Sequence, residues 1–197
     1  MSHEGEAAHA LGFRVKSGWA TAVLLAGPVQ RPQALERRVV ELSDPAVPES
    51  KQPYHAAAGT LEEDAAKIRQ RTKVIRTVTN RSVTQLLCDA QEAGYRVRGA
   101  GLVVGSQIDP AAISNPHIRA HALEGRLFRT ALQEALQAQA VPCGVVVERE
   151  AYAKAATVLG QSEEHLKRAV AGLGHSLGGP WRAEEKLAAL AAWIALA

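Results

Sequence analysis

The sequence is short of cysteine, aromatic residues and net charge, and each shortage excludes a class of protein. Only two cysteines, Cys88 and Cys143, occur in 197 residues, and they form no C-x-x-C. That excludes a disulfide scaffold and a four-thiolate zinc site. Both thiols sit in apolar stretches, so free, buried cysteines are expected. Three Trp, three Tyr and two Phe are too few to build a platform for stacking single-stranded bases. No apolar run reaches the roughly 18 residues a bilayer crossing needs. The best stretch, residues 187–197, is too short, and no membrane partner is expected. The opening MSHEGEAAHA lacks the basic start and apolar centre of a signal peptide. A cytoplasmic, reducing location is the expectation. No Walker loop, G-x-G-x-x-G or H-E-x-x-H occurs, which removes the commonest nucleotide and metalloprotease signatures.

What is present is an ordinary globular composition, 47% hydrophobic and 22% charged with a formal charge of +3. The skew lies in 37 alanines and in 16 arginines against seven lysines, the mark of a GC-rich coding sequence. The length fits one domain with its own core. We expect a flexible tail over residues 1–10 and a single domain over 11–197.

Residues 11–15 and 19–26 read as strands joined by the Lys16-Ser17-Gly18 turn. Residues 36–42 read as a third, edge strand. A proline-bearing loop, 44–59, follows. Thr60 with Glu63 has the capping-box spacing, so a helix is predicted from there to residue 93, with a break in the β-branched stretch 77–84. Residues 96–105 form the next strand. Asn115-Pro116 is a cap residue followed by proline at the first helical position, opening a helix to residue 139. Residues 141–148 read as an apolar strand buried on both faces. Helices are predicted over 152–160, 163–171 and 180–197. The order is β-β-β-α-β-α-β-α: an antiparallel meander to which two further strands add in parallel.

That order, with a final alanine-rich helix carrying acids at its start, resembles the ribonuclease H-like superfamily, in its RuvC-type resolvase branch. The resemblance implies an α/β fold with a five-stranded mixed sheet flanked by helices. It implies nucleic acid as partner, phosphodiester hydrolysis as reaction and magnesium or manganese as cofactor. The family's first-strand aspartate has its counterpart in LGFRVKSGW, where Arg14, Val15 and Lys16 stand instead. Its fourth-strand acid has its counterpart at Gly105 and Ser106. Its final-helix acids correspond to Glu184 and Glu185, ahead of Leu187. Two magnesium ions about 4 Å apart need several carboxylates to hold them, and a lysine there repels them.

In a sheet of this order the carboxyl ends of the first, fourth and fifth strands share one edge, the default place for a ligand. That geometry makes Glu148 and Glu150 candidate catalytic residues, with His121 as orienting group or base, and the resemblance implies Glu184 and Glu185 beside them. Glu148 and Glu150 alternate along a strand end, and so share one face. Their plain alternative is a solvated strand end, and that of Glu184 and Glu185 is a favourable interaction with the helix dipole. His121 falls on the apolar face of its helix, with Gly125 one turn on allowing close approach to the sheet. It needs a partner there, and Glu148 is the candidate. With Glu124 it also forms an i, i+3 pair able to hold a metal, although the sequence assigns no metal ligand set. Lys16, Ser17, Ser106, Asn115 and His117 are the candidate anion-binding group, the last two at a helix N-terminus. Arg69, Lys73 and Arg76 share a helix face and could track a phosphate backbone. A solvated face paired to upstream acids is the competing expectation.

Two functions follow. One is a nucleic-acid-processing protein of the nuclease or resolvase type with a rebuilt metal site. The other is a non-catalytic relative that binds a partner or small anion at the same edge. A homo-oligomer is compatible with either.

Overall fold

The computed structural model describes residues 8–56 and 59–197. The first strand, β1 (His9–Val15), runs antiparallel to β2 (Trp19–Ala26), which pairs with β3 (Gln33–Glu41). Strand β4 (Val97–Val104) pairs parallel with β1, and β5 (Cys143–Val147) parallel with β4. The sheet order is β3-β2-β1-β4-β5. Of the expected tail, residues 1–7 lie outside the described residues, whereas His9 and Ala10 already belong to β1 and are buried.

Helices α1 (Ala65–Glu92) and α2 (Pro116–Ala138) cover one face. Leu11, Phe13 and Val15 of β1 point into that layer with Ile75, Val83, Leu86, Phe128 and Leu132. Helices α3 (Ala151–Leu159), α4 (Glu163–Leu173) and α5 (Ala183–Leu196) cover the other. The strict alternation of β1 sends Ala10, Gly12 and Arg14 toward that second layer. The indole N–H of Trp193 donates to the Val29 carbonyl at 2.7 Å, which pins the end of α5.

Three local expectations are corrected. Helix α1 is capped by Asp64, whose side chain accepts from the Ala66 and Lys67 amides, and not by Thr60. It also runs unbroken through 77–84, because Val78, Thr79 and Val83 of that stretch are buried and packing outweighs weak propensity. Strand β5 is not buried on both faces. It closes the sheet as an edge, and most of its residues stay half-buried or exposed. Both cysteines are free, but Cys88 lies exposed on α1. Burial pushes the Cys143 thiol up to about 12. Among the described residues no helix is long and apolar enough to cross a membrane.

Candidate functional site

Strands β1, β4 and β5 end side by side, and a cleft of about 390 Å³ opens where β1 and β4 stop. Arg14, Lys16, Ser17, Ser106 and His121 line it, with Ile108, Ile113 and Ile118 on the apolar side. A larger cleft of about 590 Å³ lies at the other end of β4, around Tyr95 and Arg96. The carboxyl-end cleft is the relevant one, because it collects the strand ends and the helix starts.

The candidate acids do not gather into one carboxylate cluster: Glu148 and Glu184 reach this edge, each paired with a cation. Arg14, at the first-strand position, is 4% exposed and points toward the start of α5. Its guanidinium donates to the Val15 carbonyl at 2.9 Å and to the Glu148 carboxylate. Lys16 lies 3.5 Å from Glu184. The Glu185 carboxylate accepts from the Arg182 amide at 2.8 Å and so caps α5. Glu148 and Glu150 do not alternate along a strand, since a short 3-10 turn, Glu148–Glu150, begins where β5 ends. Glu150 is exposed and pairs, among the described residues, with its neighbour Arg149. Arg14 and Lys16 thus pair with Glu148 and Glu184 at the carboxyl end of β1, so these carboxylates are already partnered by cations.

The Glu184 carboxyl is held below its ordinary 4.5, first by its own backbone N–H and then by Lys16 and Arg14. A depressed carboxyl adds stability that is complete above its unfolded pKa and is lost as pH falls through the folded one. Glu184→Gln should therefore be less stable than the parent at neutral pH and converge with it in acid. Thermal melts across that range check this, and a difference independent of pH would refute it.

The anion-binding candidates are mostly engaged locally. The Ser106 hydroxyl accepts from the Ile108 amide, and the Asn115 side chain accepts from the Ile118 amide as the cap of α2. Ser17 and Lys16 face the cleft. Arg69, Lys73 and Arg76 do lie together along α1. Arg69 and Lys73 are exposed, while Arg76 makes two hydrogen bonds to Glu134 of α2.

His121 departs most from expectation. Its ring is 48% exposed, and its carboxylate neighbour is Glu124 at 3.6 Å, not Glu148. The face of α2 that is apolar further along the helix is uncovered near its start, where Ile118 is exposed too. Gly125 is exposed as well, and a Cβ added to it would touch nothing within 4 Å. The buried polar residue of α2 is Glu124, fully enclosed.

Glu124 organises a group that sequence reasoning missed in part. It accepts from the Tyr54 amide at 3.3 Å and bonds His55 Nδ1 at 2.7 Å. Arg71 of α1 turns inward to hold the same loop, donating to the Pro53 carbonyl at 3.0 Å and pairing with Glu62 at 3.2 Å. His55 is thereby brought against His117 and His121, and the three rings present one ligating nitrogen each within 4.8 Å. Among the described residues no other group of three His, Cys, Asp or Glu side chains is gathered this way. The local signal was the spacing His117-x-x-x-His121-x-x-Glu124, one helix turn apart. His55, 62 residues before His117, gave none.

No protein-family profile matches the chain, and no curated protein matches it in sequence. Solved structures do match in shape. A T. thermophilus RuvC in complex with Holliday junction substrate superposes with a TM-score of 0.57 at 14% identity, over 95% of this chain and 91% of that one. A second Thermus thermophilus RuvC structure gives 0.56 at 13% identity, over 94% and 92%. The chain therefore has the ribonuclease H-like fold in its RuvC-type form: a mixed five-stranded sheet flanked by helices.

Proposed function

We propose that this protein binds nucleic acid through the α1 cations and the edge cleft, without hydrolysing it by paired magnesium or manganese ions. The observation that carries this reading is the replacement of a carboxylate cluster by ion pairs: Arg14 with Glu148, and Lys16 with Glu184. Each pair neutralises an acid that metal binding would need. Nucleic acid as ligand is supported by the shared fold, since one RuvC of that fold is solved with a Holliday junction substrate. The exposed Arg69 and Lys73 suit the spacing of a phosphate backbone along one helix face.

The test has two arms. Affinity for a four-way DNA junction should fall steeply with salt, by about 0.9 log units per log of salt for each phosphate contacted. Reversing both charges, Arg69→Glu with Lys73→Glu, should lower that slope by about two. Neither magnesium nor manganese should support cleavage of the same junction. Salt-independent binding, or cleavage with either ion, would overturn the proposal. One observation favours the second reading, hydrolysis at a rebuilt metal site: the three-histidine group borders this cleft through His121.

A further inference from the structure

We propose that His55, His117 and His121 form a mononuclear site for a zinc-class divalent transition metal, with Glu124 as the carboxylate that orients two of the rings. The case rests on proton bookkeeping and is independent of nucleic-acid binding. His55 places Nδ1 2.7 Å from Glu124 Oε1. His121 places Nδ1 3.6 Å from Glu124 Oε2. A carboxylate only accepts, so the His55 Nδ1 bonded to it carries the proton and leaves a lone pair on Nε2; His121 Nδ1 faces the same carboxylate from beyond hydrogen-bond reach and takes the same tautomer once a metal draws its ring inward. His117 Nδ1 is 3.0 Å from the Gly59 carbonyl, another pure acceptor, so its proton is on Nδ1 as well. All three Nε2 atoms are then unprotonated acceptors.

Two of those lone pairs face each other, since His117 Nε2 and His121 Nε2 are 3.2 Å apart. His55 Nε2 lies 3.3 Å from His117 Nδ1, and the three rings together offer one nitrogen each within 4.8 Å. Two acceptors at that separation repel unless a cation lies between them. Tetrahedral zinc with bonds of about 2.0–2.1 Å needs its nitrogens roughly 3.3 Å apart, which is the spacing of the His117–His121 pair, and a turn of the His55 ring brings its Nε2 to the same point. An imidazole whose far N–H is held by a carboxylate or carbonyl is the usual way a protein fixes a metal ligand.

A second observation points the same way. Glu124 is fully buried, and among the described residues its Oε2 has no hydrogen-bond partner. An orphaned buried carboxylate oxygen is costly. Closing the gap to His121 Nδ1 by about 0.5 Å would make it a hydrogen bond, and a metal drawing His121 inward supplies that motion. Three imidazoles select zinc, cobalt, nickel or copper over magnesium, which takes oxygen ligands. His117 and His121 are exposed, so a fourth coordination position opens to solvent, as in sites that hold a water.

Untagged protein carrying Cys88→Ser, which removes the exposed thiol as a competing ligand, is titrated with zinc and cobalt. The expected result is one equivalent bound, a zinc-dependent rise in melting temperature and a visible cobalt spectrum without thiolate bands. His117→Ala with His121→Ala should abolish all three while leaving the far-ultraviolet circular dichroism unchanged, since both rings are exposed. Glu124→Gln should weaken binding about 10–100-fold, because the amide nitrogen donates to one ring and forces its proton onto Nε2. Magnesium should not compete. Uptake below one equivalent in the parent, parental affinity in the double histidine variant, or unchanged affinity in Glu124→Gln would each overturn the assignment.

Discussion

Gly12→Ala is expected to cost more stability than any other single-methyl addition to the sheet. A Cβ at Gly12 would lie 1.8 Å from the Ala188 carbonyl oxygen and 2.4 Å from the Ala192 amide of α5. Gly101 on the neighbouring strand faces the same helix, at 2.3 Å from the Ala191 carbonyl. These are backbone atoms of a buried helix, so no side chain can swing aside. Helix α5 must move off the sheet, and it carries Leu190, Ala191, Ala192 and Trp193 into the core with it. Overpacking costs about 1–3 kcal/mol where side chains can adjust, and a backbone clash belongs at or above the top of that range. A loss of about 3 kcal/mol lowers the melting temperature of a domain this size by roughly 10 °C. Gly125→Ala is the internal control. That glycine lies within α2 with open space where its Cβ would go, so alanine should raise stability by up to about 1 kcal/mol. Equal melting temperatures for the Gly12 and Gly125 variants would mean that the α5 contact does not hold the fold.

This contact also shows what was legible in the sequence. The alanine-rich closing helix carried its own reason, since only small residues allow such an approach. The hairpin over Lys16-Ser17-Gly18 and the Asn115-Pro116 helix start were equally plain, because each is fixed by local chemistry. Thr60 and the stretch 77–84 misled for the opposite reason: a better cap stands four residues on, and a buried face overrules β-branched propensity. The site was legible by place but not by partner. Lys16, Ser17, Ser106, Glu148 and Glu184 do come to one edge. That Arg14 takes Glu148, leaving Glu124 to serve the histidines, depends on which face of β1 and α2 is covered. His55 reaches its neighbours only because Arg71 and Glu124 grip the loop, and no sequence spacing encodes that grip.

Arg14→Ala should destabilise the fold, while Arg14→Met should leave it nearly intact. The guanidinium is almost fully enclosed at the end of β1, with a side-chain exposure of 5%, whereas Glu148 keeps 45%. Alanine removes both the ion pair and the long stem that fills the space beside the start of α5. Breaking a fully buried pair costs about 3–5 kcal/mol. Here Glu148 can turn to water, so the loss should fall near the lower end, about 3 kcal/mol. Methionine keeps most of the stem's volume and removes the cost of burying a charge, so packing is retained and the net change should be small. Both variants remove the cation from the cleft and should weaken junction binding alike. Denaturant melts and salt titrations of the two proteins then separate the roles. Equal destabilisation by alanine and methionine would show that the charge itself holds the fold. Full binding by Arg14→Met would remove Arg14 from the nucleic-acid surface and leave Arg69 and Lys73 to carry it. If methionine keeps the fold and loses binding, the buried arginine is retained at the first-strand position for its charge toward a phosphate.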